Sequence, residues 1–178
     1  LSGSGSQLPQ IKQSLKGEGS LVLENGALKN VNVLWELLSQ ITLFPGLTEF
    51  LQQHTAETPF EELLKDPHTS FEKAKLQLKI ENGRAIFDTV SLQHEAYSLF
   101  ASGAADFEGG VNFTGNLKIH QEMSEHLIKK VREVMILANR RGELEIPFLY
   151  RGPLATAKPW PDVANLARQV VSTQSAEI

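Results

Sequence analysis

The stretch "KIENGRAIFDTVSLQ", from Lys79 to Gln93, decides the fold because it places a turn signal between two runs of strand-forming residues. In a two-residue hairpin loop both central residues need a positive φ, and Asn-Gly meets this need best. Asn82-Gly83 therefore predicts a hairpin that joins a strand over Phe71–Glu81 to a strand over Arg84–Gln93.

This hairpin is apolar on both faces in places, at the two-residue period of a β-strand. One predicted face holds Leu76, Leu78, Ile80, Ala85 and Phe87, and the other holds Ile86, Val90 and Leu92. We therefore expect the hairpin to pack against the rest of the chain on both sides, or to carry one apolar face that is not simply core.

An earlier stretch, "VLENGALKNVNVL" from Val22 to Leu34, repeats the Glu-Asn-Gly sequence. By the same turn chemistry, Asn25-Gly26 predicts a first hairpin that joins Gly19–Glu24 to Ala27–Val33. The repeat indicates a sheet that is extended by two hairpins of the same kind. It does not indicate a site.

Two further strands follow, in "AYSLFASGAADF" (Ala96–Phe107) and "VNFTGNLKI" (Val111–Ile119). The second alternates between apolar and polar residues, and the Gly-Gly turn that separates the two is short. Alternation of this kind is typical of antiparallel strands with one solvent-exposed face, because parallel strands are apolar on both faces. The alternation places a set of apolar residues on one face: Leu99, Ala101, Val111, Phe113, Leu117 and Ile119.

Helical spacing of apolar residues predicts helices between and after the strands. The predicted helices span Leu34–Phe44, Leu47–Gln53, Pro59–Lys65, Gln121–Arg141 and Trp160–Val171, with a last strand over Glu143–Gly152. Together these elements predict an α+β fold, in which a curved, hairpin-built antiparallel sheet of about seven strands has helices packed on one face.

The composition of the 178-residue chain is that of a globular protein, with 41% hydrophobic and 21% charged residues. The net charge of −4 gives no reason to expect nucleic acid, which selects a basic face. The absence of cysteine excludes disulfides and thiolate metal sites. The Gly/Ser-rich start predicts a flexible linker or cloning remnant over residues 1–15, a domain over 16–173 and a tail over 174–178.

The sequence shows no catalytic centre. The five histidines are scattered without ligand spacing, and no G-x-S-x-G surrounds a serine. Glu24 and Glu81 each precede an Asn-Gly turn, where a charged residue is ordinary. A basic run on the Gln121–Arg141 helix is mixed with glutamates, which favours a solvated face over a membrane contact. We therefore expect no enzyme activity, no metal and no cofactor.

Four stretches in order resemble the C-terminal region of the AsmA family of bacterial envelope proteins. They are "GEGSLVLENGALKNVNV", "TSFEKAKLQLKIENGRAIFDTVSLQ", "SLFASGAADFEGGVNFTGNLKI" and "GELEIPFLYRGPLATAKPWPDVANLARQVV". The likeness covers the chain from about Lys16 to Val171. This sequence departs from the family pattern in the charged stretch "AETPFEELLKDPHTS" and in its helix over Gln121–Arg141.

The resemblance implies a domain in the periplasm of a diderm bacterium, within a parent protein anchored in the inner membrane. Such proteins are thought to guide phospholipid toward the outer membrane along a curled β-sheet, so lipid is one expected partner. The parent chain's N-terminal β-rich part and other envelope proteins are further expected partners. The predicted groove-lining residues are Leu99, Ala101, Val111, Phe113, Leu117 and Ile119.

Two alternatives stay open at the sequence level. A protein–protein docking module that caps a larger envelope β-scaffold predicts a fully covered apolar sheet face, with a conspicuous apolar or charged patch outside it. A periplasmic hydrolase requires a nucleophile and a base brought together in a cleft by the fold.

Overall fold

A computed structural model of the protein describes residues 1–5, 7–52 and 58–168. Its centre is an antiparallel sheet in which seven strands are neighbours in chain order. The strands are β1 (Gly17–Leu28), β2 (Thr69–Glu81), β3 (Arg84–Gln93), β4 (Tyr97–Asp106), β5 (Gly110–Ile119), β6 (Leu144–Pro153) and β7 (Pro159–Pro161). The predicted α+β class with a hairpin-built antiparallel sheet of seven strands is confirmed.

The helices lie before, between and after these strands. They are α1 (Leu8–Ser14), α2 (Val33–Leu38), α3 (Pro45–Gln52), α4 (Pro59–Lys65), α5 (Gln121–Lys130), a 3₁₀ helix (Arg132–Leu137) and a helical segment over 163–168. α2 to α4 lie in the connection from β1 to β2. α5 and the 3₁₀ helix lie in the connection from β5 to β6.

Both long connections leave the same end of the sheet, which we call the connection end. The antiparallel register places Leu28 beside Thr69 there, and Ile119 beside Leu144. The opposite end, the turn end, joins β2 to β3 and β4 to β5 by short turns. The topology therefore concentrates the helices of both connections over one half of one sheet face.

The hydrophobic core lies where these helices meet that half. Buried sheet residues in the core are Phe71, Ala74, Leu92, Tyr97, Leu117, Ile119, Leu144, Ile146 and Phe148. Against them pack fully buried helix residues such as Leu37, Leu47 and Leu127. The two connections also contact each other, since the Gly46 N–H at the start of α3 donates to Glu133 Oε2 at 3.1 Å.

Polar caps fix where the short helices begin. Asn32 accepts a hydrogen bond from the Trp35 N–H at 2.9 Å, and its own amide donates to the Leu63 and Asp66 carbonyls. Thr58 and Glu61 form a reciprocal capping box at the start of α4. α4 coincides with the helix predicted over Pro59–Lys65.

The hairpin at Asn82-Gly83 is confirmed, with both residues at positive φ (50° and 73°). Its faces differ from the prediction because the register between β3 and β4 shifts between Phe87 and Val90. This bulge brings Val90 and Leu92 onto the face that Phe87 occupies. The prediction that they lie on the opposite face is wrong.

The predicted hairpin at Asn25-Gly26 is also wrong, because β1 runs straight through both residues. Asn25 does adopt the left-handed conformation (φ 53°), yet the register with β2 is the same on either side of it. A Cβ at Gly26 would lie 2.5 Å from Cζ of Phe71, so the glycine makes room for that buried ring. Pairing with β2 thus overrides the local turn preference.

The remaining helix predictions hold in part. The helix predicted over Gln121–Arg141 ends at Lys130, and after Val131, at φ −132° and ψ 88°, the chain continues as a 3₁₀ helix. The helix predicted over Trp160–Val171 is preceded by β7, is helical over 163–168 and then leaves the described residues.

Residues 1–15, predicted to be a linker, contain α1 and a bridge between Ser2 and Lys16. The domain boundaries themselves stay predictions. The predicted end of the domain near 173 and the predicted tail lie outside the described residues.

Glycines opposite aromatic rings recur across the sheet. Gly26 pairs directly with Phe71, Gly103 with Phe113 and Gly115 with Phe148. A Cβ at Gly103 would lie 2.6 Å from the Phe113 Cα, and one at Gly115 would meet the Phe148 ring and lie 2.5 Å from the Phe100 carbonyl oxygen. Each glycine leaves the space in which a neighbouring ring lies.

We predict that Gly115→Val lowers the free energy of unfolding by about 1–3 kcal/mol, because the added side chain overpacks the Phe148 site. Gly19→Val is the matched control, since a Cβ at Gly19 meets nothing within 4 Å. Urea unfolding of both variants measures the difference. Equal stability of the two variants would contradict the role of the glycine.

Candidate functional site

The helix-covered sheet face continues, as an apolar surface, beyond the core toward the turn end. Partly exposed aliphatic and aromatic side chains occupy it, and they lie outside the core cluster. They are Leu76, Leu78 and Ile80 on β2, Phe87 and Val90 on β3, and Phe113 on β5. We call this region the open apolar surface.

One row of directly paired residues crosses this surface at right angles to the strands. Leu78 pairs with Phe87, Phe87 with Gly103, Gly103 with Phe113, and Phe113 with Tyr150. We call these five residues, on strands β2 to β6, the cross-strand row. Because the strands are antiparallel, directly paired residues share a face.

The rings of the row contact one another. The centroids of Phe87 and Phe113 are 5.3 Å apart at an interplanar angle of 52°, and those of Phe113 and Tyr150 are 6.4 Å apart at 57°. These distances and tilts are in the favourable range for aromatic pairs. Gly103 lies between the two phenylalanines, and its missing side chain lets their rings meet above β4. The result is a continuous apolar strip in which the two rings cover Gly103.

The structure divides the six predicted groove residues into three groups. Leu117 and Ile119 are fully buried in the core beneath the helices, where a ligand does not reach them. Leu99 and Ala101 are partly buried and pack against the edge of the core. Val111 is buried outside the core cluster, and Phe113 lies in the cross-strand row. The prediction of a groove through Phe113 therefore remains, with its position moved toward the turn end.

The sequence reasoning did not select Phe87 and Tyr150 as site residues. The alternation of apolar residues did place Phe87 on the same face as Leu78, and the apolar character of both faces of the hairpin was the available signal. Tyr150 carries no comparable signal, because its place beside Phe113 depends on the register between β5 and β6. That register follows a connection of 24 residues, 120–143.

Tyr97, Asp106 and Glu143 have shifted pKa values, and each shift has a structural cause. Burial, together with the negative charge of Asp66, raises the pKa of Tyr97 to about 12, and its hydroxyl donates to the Ser70 carbonyl at 2.7 Å. Hydrogen bonds from the Gly110 and Glu108 N–H groups lower the pKa of Asp106 in the β4–β5 turn. A hydrogen bond from the Asn139 side chain lowers the pKa of Glu143.

The fold does not bring together the residues that the sequence analysis considered as catalytic or metal-binding candidates. Glu24 and Glu81 lie at opposite ends of the β1–β2 pair, near Lys73 and Lys79 respectively. In the described part of the chain, no group of three or more His, Asp or Glu residues is placed to hold a metal ion. His54 lies outside the described residues.

A separate cleft of about 430 Å³ lies at the turn end, between α1 and the two tight turns. Its charged lining is mixed, with Lys12 and Arg84 beside Asp106 and Glu108. The Asp106 carboxylate already accepts the turn's own N–H groups, at 2.8 and 2.9 Å. The cleft therefore offers both signs of charge and no arrangement that selects one of them.

Among the described residues, the structure contains no helix with the length and apolar character needed to cross a membrane. No protein-family model matches the chain, and no curated protein and no solved structure matches it either. The likeness to the AsmA family therefore stays a prediction from the sequence.

We predict that the stability advantage of the wild type over Tyr97→Phe narrows as the pH rises from 10 to 12. Tyr97 keeps its proton in the folded state up to about pH 12, whereas the unfolded chain loses it near the ordinary value of 10. The folded state then binds more protons than the unfolded state, so a rise in pH destabilises the wild type. Urea unfolding of both proteins across this pH range measures the difference in their free energies of unfolding. A difference that stays constant would contradict the raised pKa of Tyr97.

Proposed function

We propose that the protein is a non-enzymatic, periplasmic domain of an AsmA-like envelope protein, and that it binds phospholipid acyl chains along the open apolar surface. The observation that carries the proposal is the cross-strand row, a strip of aromatic and aliphatic side chains that starts at Tyr150 against the core and continues outside it to Leu78. Binding of this kind needs apolar area and shape, and it requires neither a cofactor nor a metal.

The dimensions of the row fit this ligand. From β2 to β6 the row crosses four inter-strand spacings of roughly 4.8 Å, which gives a span of about 19 Å. One acyl chain covers half of a bilayer's hydrocarbon core, which is about 15 Å. Each methylene that the row removes from water contributes about 0.8 kcal/mol. A chain laid across the strands would therefore be held without any polar contact.

The rest of the proposal is supported by the sequence alone. The four ordered stretches that resemble the AsmA family support a role in envelope biogenesis, a location in the periplasm and an inner-membrane-anchored parent. The confirmed antiparallel sheet is compatible with the curled sheets of that family. The proposed partners are phospholipid, the parent chain's β-rich N-terminal part and other envelope proteins.

The docking-module alternative has one observation in its favour. Strand β1 lies at the edge of the sheet and exposes Leu21, Val22 and Leu23, at 48%, 52% and 44% of their surface. Exposed apolar residues on a long edge strand are typical of a surface that pairs with another strand. Leu21 pairs with Leu76 and so borders the open apolar surface. Strand pairing would use the free edge of β1 and not the cross-strand row, so the two functions make different predictions.

The first test measures the uptake of phospholipid from vesicles of phosphatidylethanolamine and phosphatidylglycerol by native mass spectrometry. We expect Phe113→Glu and Phe87→Glu to weaken binding about 10–100-fold, because burying a phenylalanine side chain contributes about 1.5–3 kcal/mol. Phe100→Glu is the matched control. Phe100 lies on β4, between the strands that carry Phe87 and Phe113, is 46% exposed and points to the opposite face of the sheet.

Circular dichroism and urea unfolding establish that each variant is folded. Loss of lipid in the Phe113 and Phe87 variants alone supports the acyl-chain site. An equal loss in the Phe100 variant would place the lipid elsewhere. A wild-type protein that takes up no phospholipid would contradict the proposal and favour the docking module.

A further inference from the structure

The two edges of the sheet are built differently. β7 contains only Pro159, Trp160 and Pro161, and two of these three residues have no N–H to offer a further strand. β1, at the other edge, has 12 residues and no proline. A short edge with prolines resists pairing with another strand, whereas a long edge without them favours it.

The hydrogen-bonding groups on the free side of β1 can be assigned. The Lys16 N–H and C=O both bond to Ser2, at 2.7 and 2.8 Å, and so point away from β2. In an antiparallel strand successive residues direct these groups to alternate sides. Glu18, Ser20, Val22 and Glu24 therefore present their N–H and C=O groups at the edge.

The usable part of this edge is short and centred on Val22. At one end Ser2 occupies the groups of Lys16, and at the other end Asn25 leaves the extended conformation at φ 53°. Between these limits the side chains of Leu21, Val22 and Leu23 are about half exposed. The occupant must therefore be a strand of about five to seven residues that brings apolar side chains to the centre.

We propose that the occupant is a second copy of this chain, paired antiparallel through β1 about a two-fold axis at Val22. In this register Val22 lies opposite Val22, and Leu21 lies opposite Leu23 twice. Ser20 then lies opposite Glu24, so no like charges face each other directly. A shift that centres the pair on Leu21 instead would place Glu18 opposite Glu24 twice, and this repulsion selects the Val22 register.

The pairing joins the edge groups that point outward in both copies. Ser20, Val22 and Glu24 of each copy donate and accept six hydrogen bonds in total with the other copy, because residues paired in this register both face the edge. One strand pair covers less surface than the roughly 1,200 Å² at the lower end of stable interfaces. The dimer therefore forms reversibly, and its fraction rises with protein concentration.

The test measures mass against concentration by sedimentation equilibrium for the wild type, Val22→Glu and Val22→Lys. The wild type moves from 19.7 kDa toward twice that mass as the concentration rises. Each variant puts two like charges at the two-fold axis, and this repulsion raises the dissociation constant about tenfold or more. A mixture of the two variants places Glu opposite Lys and restores association.

Val163→Glu is the matched control, because Val163 is also a valine with 52% exposure and lies far along the chain from β1. In Val22→Glu the new carboxylate lies opposite Lys75 of its own chain, which favours a folded protein. Hydrogen exchange of the wild type is a second measurement, in which the Ser20, Val22 and Glu24 amides gain protection only at high concentration.

Loss of association in the two Val22 variants, its return in their mixture and normal association of Val163→Glu support the β1 dimer. A wild type that stays at 19.7 kDa at every concentration overturns it. A wild-type dimer that Val22→Glu leaves unchanged, or edge amides that gain no protection, overturns it as well.

Discussion

The structure depends on one topological constraint, which is that both long connections leave the sheet at the same end. The helices of α2 to α4 and of α5 with its 3₁₀ extension can therefore bury only the connection half of the apolar face. Leu117 and Ile119 lie beneath them, whereas Phe113, on the same strand and the same face, does not. The boundary between core and candidate site runs across β5 itself.

The positions of two glycines determine how aromatic rings pack on the apolar sheet face, on both sides of this boundary. Gly115 makes room for Phe148 within the core, and Gly103 makes room for the contact of Phe87 with Phe113 outside it. Glycines opposite rings therefore serve packing at the connection end and allow a continuous aromatic contact toward the turn end. A bulge between Phe87 and Val90 keeps the apolar residues of β3 on this face.

The sequence predicted most of the strands, the α+β class and the Asn82-Gly83 hairpin, because alternation and turn chemistry are local signals. It failed at Asn25-Gly26, where the same dipeptide lies inside β1 and the glycine accommodates the Phe71 ring from β2. It placed Leu117 and Ile119 in the groove because alternation identifies a face and not which half of it is covered. Tyr150 could not be predicted as a site residue, because its position beside Phe113 depends on how β5 pairs with β6. No local sequence pattern specifies that pairing.

The measurement that tests the acyl-chain site most directly is photo-cross-linking with a phospholipid that carries a diazirine in its acyl chain. Mass spectrometry of the digested protein then locates the adducts. The account predicts adducts at Leu78, Phe87 and Phe113, which face the open apolar surface. Adducts confined to exposed apolar residues elsewhere, such as Phe100 or Trp160, would contradict it.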